Sequence, residues 1–157
     1  MCGEGAARQS RLRAPTLRPA PLLSRTSPVT GPAVRVRGLR HLALRVRDVR
    51  VAARFYAETF GMHVVWEPDA ENVYLSSGSD NLALHQDPHA APGGALDHLG
   101  FLVATADEVH AAAEELHARG VPIARAPATH RDGSVSCYCR DPDGNLIQVL
   151  YLPGIEA

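Results

Sequence analysis

An order of secondary-structure elements that occurs twice along the chain constrains its fold more than any other feature. In the first copy, alternating polar and apolar residues at 40–46 predict a strand. A helix follows, because Asp48 is a good N-cap and Gly61 is a good stop signal. Three short segments of strand-forming residues come next, at about 62–66, 72–76 and 81–85. The first copy therefore has the order βαβββ.

The second copy repeats this order with its own signals. A strand is predicted at 97–103, and a capping box at 105–108 opens a helix that Gly120 ends. Strands follow at about 121–125, 134–140 and 145–151. The chain is therefore predicted to be an α+β protein of two tandem βαβββ modules, at about 38–88 and 96–152.

Two pairs of residues align the copies. His41-Leu42 matches His98-Leu99 at the start of the first strand, and Asn81-Leu82 matches Asn145-Leu146 at the start of the last one. Any α+β chain shows some internal similarity, but histidines at equivalent strand positions favour a true duplication with a site between the copies.

Residues 1–37 lack such a pattern. Five prolines and seven arginines are interspersed with Ser and Thr, and no period of 2 or 3.6 survives. We interpret this segment as a disordered Arg/Pro-rich leader that precedes a single domain at 38–157. Three interpretations of the leader compete. It is a dispensable leader or the product of a mis-called start codon, an organellar transit peptide, or a basic arm for anionic partners.

Charge and composition exclude two classes of partner. In 38–157, nine arginines stand against 16 acidic residues, a net charge of about −7. A domain this acidic is a poor binder of phosphate backbones, so no nucleic-acid partner is expected. No membrane partner is expected either, since no apolar run approaches the roughly 20 residues of a spanning helix. Cys2, Cys137 and Cys139 do not form a disulfide framework, which favours a cytoplasmic location.

Three short motifs resemble one known family. They are the strand His-Leu-Ala-Leu-Arg-Val at 41–46, the Phe-Tyr pair at 55–56 ahead of Phe-Gly at 60–61, and the turn Arg-Asp-Pro-Asp-Gly-Asn at 140–145. Together they make residues 38–152 similar to the vicinal oxygen chelate (VOC) superfamily of glyoxalase I, bleomycin resistance proteins and extradiol dioxygenases. The resemblance implies two modules that form a curved, cup-like mixed sheet around a site. It also implies a homodimer whose subunits share site residues.

The resemblance also implies a set of metal ligands from the first and last strands of each module. Carried onto this chain, the positions are His41, Leu84, His98 and Gln148. Leu84 cannot bind a metal, and Gln148 stands where relatives usually carry Glu. The predicted set is therefore His41, His98 and Gln148 around one divalent ion, which is Fe, Mn, Ni, Zn or Co. The competing interpretation is that both histidines are hydrogen-bonded pocket residues.

Two further residues are predicted to be catalytic by the same resemblance. Tyr138 lies ten residues before Gln148, as a Tyr does before the carboxylate ligand of extradiol dioxygenases, and His130 precedes its strand. The proton-relay His of those enzymes is replaced here by Asn81. Arg131 beside His130 could contact an anionic substrate. For Tyr138 the alternative is a half-buried strand aromatic that only packs.

Two functions follow from these residues. The first is a divalent-metal-dependent enzyme that acts on a small substrate with vicinal oxygens, either as a lyase or isomerase or as an extradiol ring-cleaving dioxygenase. The second is a metal-free protein that binds and sequesters a small molecule, like the bleomycin resistance proteins. Leu84 and Gln148 favour the second function, and the paired histidines favour the first.

Overall fold

The computed structural model describes Val34, Val36 and residues 38–155. Within this part of the chain the elements follow the predicted order: β1 (His41–Val46), α1 (Val49–Phe60), β2 (His63–Trp66), β3 (Asn72–Ser76), β4 (Asn81–Gln86), β5 (Leu99–Leu102), α2 (Ala106–Ala118), β6 (Ile123–Thr129), β7 (Val135–Arg140) and β8 (Leu146–Tyr151). The leader predicted at 1–37 lies outside the described residues, except for Val34 and Val36.

Each module forms its own four-stranded mixed sheet. The strand order is β1-β4-β3-β2 in the first sheet and β5-β8-β7-β6 in the second. In both sheets the first strand of the module pairs in parallel with the last, and the other neighbours are antiparallel. The α+β fold of two βαβββ modules predicted from the sequence is confirmed.

Local capping signals determine where the helices begin and end. The Asp48 carboxylate accepts hydrogen bonds from two backbone N–H groups of the first turn of α1, at 2.9 and 3.0 Å. Gly61 ends that helix with a φ of 67°, which glycine adopts without a steric penalty. Thr105 caps α2 and accepts from the N–H of Glu108 at 3.3 Å. The Glu108 carboxylate accepts in turn from the N–H of Ala104, one residue before the position that a capping box predicts.

One face of each sheet packs against the helix of its own module. Helix α1 buries Val49, Ala52, Ala53 and Tyr56, and α2 buries Val109, Ala113 and Leu116. The strands contribute alternate residues to the same core, among them Leu44, Val46, Leu82, Leu84, Cys137, Cys139, Ile147 and Val149. Removing each such aliphatic side chain from water stabilises the fold by roughly 1.5–3 kcal/mol. The opposite face of each sheet carries the polar side chains.

A hydrogen bond and a ring stack join the two modules. The Tyr56 hydroxyl, from α1, donates to the buried Asp141 carboxylate at 3.0 Å. Asp141 also accepts from the backbone N–H and the side-chain amide of Asn145, each at 2.8 Å. Phe60 stacks on Phe101 with ring centroids 4.4 Å apart. The turn that the sequence identified at 141–144 therefore also holds the helix of the other module.

Strands β5 and β6 depart from their predicted limits. Strand β5 starts at Leu99 rather than at 97, so His98 lies just before it. Strand β6 runs from Ile123 to Thr129, not from about 121 to 125. Val121 follows the end of α2 and is tied to it, because its N–H donates to the Leu116 carbonyl at 2.9 Å. The strand continues through Pro127, since irregularities of register release that residue from the regular ladder.

The strand registers correct the alignment of the two copies by one residue. Gly100, two residues after His98, pairs with Gln148. In the first sheet the residue two after His41 is Ala43, and it pairs with Ala83. The position that corresponds to Gln148 is therefore Ala83 and not Leu84, which is fully buried in the core. The similarity of Asn81 to Asn145 suggested the wrong register. The first module still offers no ligand there, since an alanine cannot bind a metal.

Candidate functional site

The open face of the second sheet, on the side away from α2, collects most of the predicted site residues. Side chains alternate between faces along a strand, so this face receives Tyr138 from β7 and Gln148 from β8. Their Cα atoms are register partners in neighbouring antiparallel strands. His98 precedes β5, on the other side of β8. We refer to His98, Tyr138 and Gln148 as the central trio.

Tyr138 holds the central trio together. Its hydroxyl oxygen accepts a hydrogen bond from Gln148 Nε2 at 2.8 Å. Its ring meets the His98 imidazole edge-on, with ring centroids 5.5 Å apart. The Arg125 guanidinium lies over the same ring, 4.8 Å from its centroid. Tyr138 is therefore buried among polar side chains, and its hydroxyl proton points to no described acceptor.

Both predicted histidine ligands have one ring nitrogen held by a neighbouring oxygen. His98 Nδ1 lies 2.8 Å from the Asp97 carboxylate, and His41 Nδ1 lies 2.7 Å from the Asn81 amide oxygen. Such partners orient an imidazole and select its tautomer, as they do for histidines that bind metals. In each ring, Nε2 is left free of described hydrogen bonds.

The donor set therefore fits a divalent ion in its chemistry. Two imidazole Nε2 atoms and the Oε1 atom of Gln148 are available, because the Gln148 amide nitrogen is occupied by Tyr138. Gly100 leaves the space beside Oε1 open, since a Cβ there would lie 3.6 Å from Oε1 and 3.2 Å from Leu150 Cδ2. Among the residues that the structure describes, no three His, Cys, Asp or Glu side chains form a metal site. Any ion would therefore depend on the neutral amide.

The predicted residues line two separate cavities. His41 and His98 line one of about 300 Å³, with an apolar wall that includes Leu42, Leu99 and Phe101. His130, Tyr138 and Gln148 line a second, open cavity of about 640 Å³. His98 touches both groups, through the shared cavity with His41 and through the ring contact with Tyr138. The structure thus groups the second-module residues closely and leaves His41 on the first sheet.

His130 lies at the rim of the second cavity. Its Nε2 is 2.8 Å from the hydroxyl oxygen of Ser136, a buried residue on the same face of β7 as Tyr138. The loop that carries it is closed by Asp132, whose carboxylate accepts from both the hydroxyl and the N–H of Ser134. Both hydrogen bonds lower the pKa of Asp132, and the one from the Ser134 hydroxyl has the larger effect. Arg131 is exposed in the same loop.

The first sheet carries a different set of residues on its open face. A bulge in β2 places Trp66 opposite Tyr74, and their rings are 4.8 Å apart. The edge of the Tyr74 ring meets His85, whose Nδ1 lies 2.5 Å from Asn72 Oδ1. Strand alternation puts His85 on the face opposite to the buried Leu84. The first sheet therefore presents Trp66 where the second sheet presents Arg125.

Sequence reasoning missed Arg125. Strand alternation counted from Ile123 puts Arg125 on the core side, and the residue opposite Tyr138 would then be Ala124. Instead the register shifts between Ile123 and Arg125, so that Arg125 pairs with Tyr138. A bulge of this kind redirects a side chain and depends on pairing between strands, which no local pattern reveals. The two prolines near this strand, Pro122 and Pro127, were the only available signal.

Comparison with known proteins identifies the family. A model described as the Glyoxalase/Bleomycin resistance protein/Dioxygenase superfamily matches residues 38–149. The chain belongs to this superfamily. The resemblance inferred from the three motifs is therefore confirmed. Members of the superfamily bind small molecules and commonly use divalent metals.

Individual relatives support the same fold. A virulence protein of Salmonella typhimurium is 33% identical over 120 residues, which are 69% of this chain and 80% of that protein. Lactoylglutathione lyase from Agrobacterium tumefaciens, 24% identical, superposes with a TM-score of 0.63 over 74% of this chain and 94% of that one. A glyoxalase-related enzyme from Fulvimarina pelagi, 25% identical, gives 0.62 over 75% and 90%. The names of these relatives do not describe one common activity, so membership of the superfamily does not specify the reaction.

The two helices can also be compared with the length and hydropathy of a membrane-spanning helix. Among the described helices, neither is long and apolar enough to cross a bilayer.

Proposed function

We propose that the protein is a metal-dependent enzyme of the glyoxalase or dioxygenase type that acts on a small molecule with two neighbouring oxygens. The observation that carries the proposal is the convergence of His98, Tyr138 and Gln148 on the open face of the second sheet. Lyase or isomerase chemistry and extradiol ring cleavage are both compatible with this trio.

His41, His98 and Gln148 would hold the ion, which we propose is Fe, Mn, Ni, Zn or Co. When bound, such an ion polarises the substrate oxygens and stabilises the negative charge that develops on them. The imidazoles are ligands that suit all of these ions, whereas an amide oxygen brings no charge. The affinity should therefore be lower than that of a site with a carboxylate in place of Gln148.

The remaining residues would handle protons. Tyr138 accepts from Gln148, so its own O–H is free to donate to a substrate oxygen or to return the proton later. His130 stands at the rim, with one ring nitrogen on Ser136 and the other available for exchange. Burial of the Tyr138 ring fixes its position, which favours a defined distance to the substrate.

A metal-free binding protein is the second candidate. Two observations favour it: the first sheet has Ala83 at the position of Gln148, and Gln148 is uncharged. In that case His41 and His98 would act as hydrogen-bonding residues of the cavity of about 300 Å³ that they share. Its apolar wall suits a small ligand of mixed polarity.

The substitution Gln148→Glu distinguishes the two candidates. Glu has nearly the same shape and adds a negative charge beside a dication. Melting curves of chelator-treated protein are recorded with and without Mn(II), Zn(II) or Fe(II). Binding to the folded state stabilises it by about 2.7 kcal/mol at a hundredfold excess over Kd. We expect a metal-induced rise in Tm that is larger in Gln148→Glu than in the wild type and absent in His41→Ala. Gln86→Glu, at the exposed end of β4, is the matched charge control.

The metal-free candidate requires the opposite outcome. A carboxylate between Leu146 and Leu150 would then have no metal ion beside it, and its partial burial would disfavour ionisation. Gln148→Glu would then melt at a lower temperature near neutral pH, and added metal would not restore it. That result, together with no shift in the wild type, would reject the metal-dependent enzyme.

A further inference from the structure

We infer that the ligand of the second sheet carries a carboxylate and that Arg125 binds it. The inference rests on the proposed function, because it concerns the same open face, and it adds the charge class of the small molecule. Arg125 determines the specificity for the carboxylate and takes no part in bond making.

The first argument is the geometry of Arg125. Its guanidinium lies 4.8 Å from the centroid of the Tyr138 ring, whose hydroxyl is part of the central trio. A guanidinium over an aromatic face keeps its N–H donors directed outward in the plane of the group. These donors match the two oxygens of a carboxylate. A ligand oxygen at Tyr138 and a carboxylate at Arg125 can therefore belong to one small molecule.

The second argument is the bulge that puts Arg125 there. Without the register shift after Ile123, Ala124 would stand opposite Tyr138 and the arginine would point toward the core. Bulges are frequent beside binding sites because they redirect a side chain at the cost of local pairing. The equivalent bulge in β2 presents Trp66 in the same way. The fold thus uses this strand position to display a residue on the open face.

The third argument is charge. The domain is acidic, with 16 Asp and Glu against nine Arg at 38–157. Most described arginines are already held: Arg45, Arg47, Arg50 and Arg119 form ion pairs, and Arg40 and Arg140 donate to neighbouring oxygens. Among the residues that the structure describes, no carboxylate oxygen lies within 4.0 Å of Arg125. A positive group without an acidic neighbour, on the polar face of an acidic domain, favours an anionic ligand.

The nearby acidic residues do not neutralise it. Asp97 pairs with His98 at the far side of the trio, and Asp132 is held by Ser134 in the rim loop. Arg131 in that loop is the other cation that could serve an anion, as the sequence suggested. Arg131 lines the cavity of Tyr138 and Gln148 and is exposed, as Arg125 is. Among the described residues no aromatic ring orients Arg131, whereas Arg125 stacks on Tyr138. The structure therefore favours Arg125.

The test compares ligands that differ only by a carboxylate. Catechol with 3,4-dihydroxybenzoate, and hexane-2,3-dione with 4,5-dioxohexanoate, keep the neighbouring oxygens, and only the second member of each pair carries a carboxylate. Binding to the full chain is measured by calorimetry with Mn(II), at low and high ionic strength. We expect the carboxylate member to bind about tenfold or more tightly to the wild type. Arg125→Gln should lose this preference, and Arg125→Lys should keep part of it.

Control variants separate the two arginines. Arg54→Gln removes an exposed arginine from α1, far along the chain from β6, and should bind like the wild type. Equal binding of both members of a pair, or a preference that survives in Arg125→Gln and disappears in Arg131→Gln, would overturn the inference while leaving the proposed function standing. If neither pair binds the wild type, the proposed function fails and the inference fails with it. Circular dichroism of each variant confirms that it is folded.

Discussion

Tyr138 links more parts of the candidate site than its place in a strand suggests. Its ring lies between the His98 imidazole and the Arg125 guanidinium, and its hydroxyl orients the Gln148 amide. A side chain with only a packing role would need none of these polar neighbours. At the scale of single residues, the candidate site is therefore an arrangement around one aromatic ring.

Tyr138→Phe removes the hydroxyl and keeps the ring. We expect affinity for catechol, measured by calorimetry with Mn(II), to fall about tenfold, because the ligand loses a hydrogen bond and the Gln148 amide loses its acceptor. The melting temperature should change little, since the ring still fills its place. Turnover should fall by roughly tenfold or more once a substrate is known.

Tyr74→Phe is the matched control for that experiment. Tyr74 occupies the corresponding strand position in the first sheet, and its hydroxyl has no hydrogen bond among the described residues. It should bind the probe like the wild type. If Tyr138→Phe also binds and turns over normally, Tyr138 is a packing residue.

At the scale of elements, the helices were predictable and the paired strands less so. The limits of α1 and α2 follow from caps and glycines that lie within a few residues of the helix ends. Pairing between strands depends on contacts across the sheet. The sequence aligned Leu84 instead of Ala83 with Gln148, and it missed the position of Arg125. Both errors arose because the register depends on the neighbouring strand and is not encoded in a single strand. The histidines, Tyr138 and Gln148 were predicted from the family resemblance, and side-chain alternation along β7 and β8 puts Tyr138 and Gln148 on one face.

The contact between α1 and the turn after β7 gives a second prediction. Burial, and then the nearby Asp141 charge, raise the pKa of Tyr56 well above its usual value, so the phenol stays protonated and donates to Asp141. Tyr56→Phe leaves that buried carboxylate with one donor fewer. We expect the free energy of unfolding in urea to fall by about 1–3 kcal/mol.

Tyr151→Phe is the control for this substitution. Tyr151 is half-buried in β8, and no described residue hydrogen-bonds its hydroxyl. It should unfold at nearly the wild-type urea concentration. An equal loss in both variants would show that the hydrogen bond from Tyr56 contributes no more than general packing.

At the scale of the whole molecule, the two modules share a frame and differ in chemistry. The first sheet places Trp66 where the second places Arg125, and Ala83 where the second places Gln148. Neither face alone supplies the full set of predicted ligands, because His41 belongs to the first sheet and the other two belong to the second. A site that uses all three predicted ligands therefore needs residues from both sheets.

The exposed apolar edge of the first sheet is the physical reason to propose a homodimer. Strand β2 is the exposed edge of the first sheet, and Val64, Val65 and Trp66 are 50%, 49% and 57% exposed. An apolar edge of this kind invites a second chain, whereas charged edges discourage one. We expect light scattering at micromolar concentration to give twice the 16.8 kDa chain mass.

A chain that begins at Val36 should give the same doubled mass and the same melting temperature as the full chain. The reason is that we propose that residues 1–37 precede the domain and are not part of its core.

Trp66 reports whether this edge is the one that a partner covers. It is the single tryptophan of the chain, so its fluorescence needs no deconvolution. Emission should move to shorter wavelength over the concentration range in which the mass doubles, because the indole leaves water. Val65→Asp places a charge on the edge and should shift the equilibrium toward the monomer. A doubled mass with unchanged emission would place the interface elsewhere, and a monomeric mass at micromolar concentration would reject the shared site.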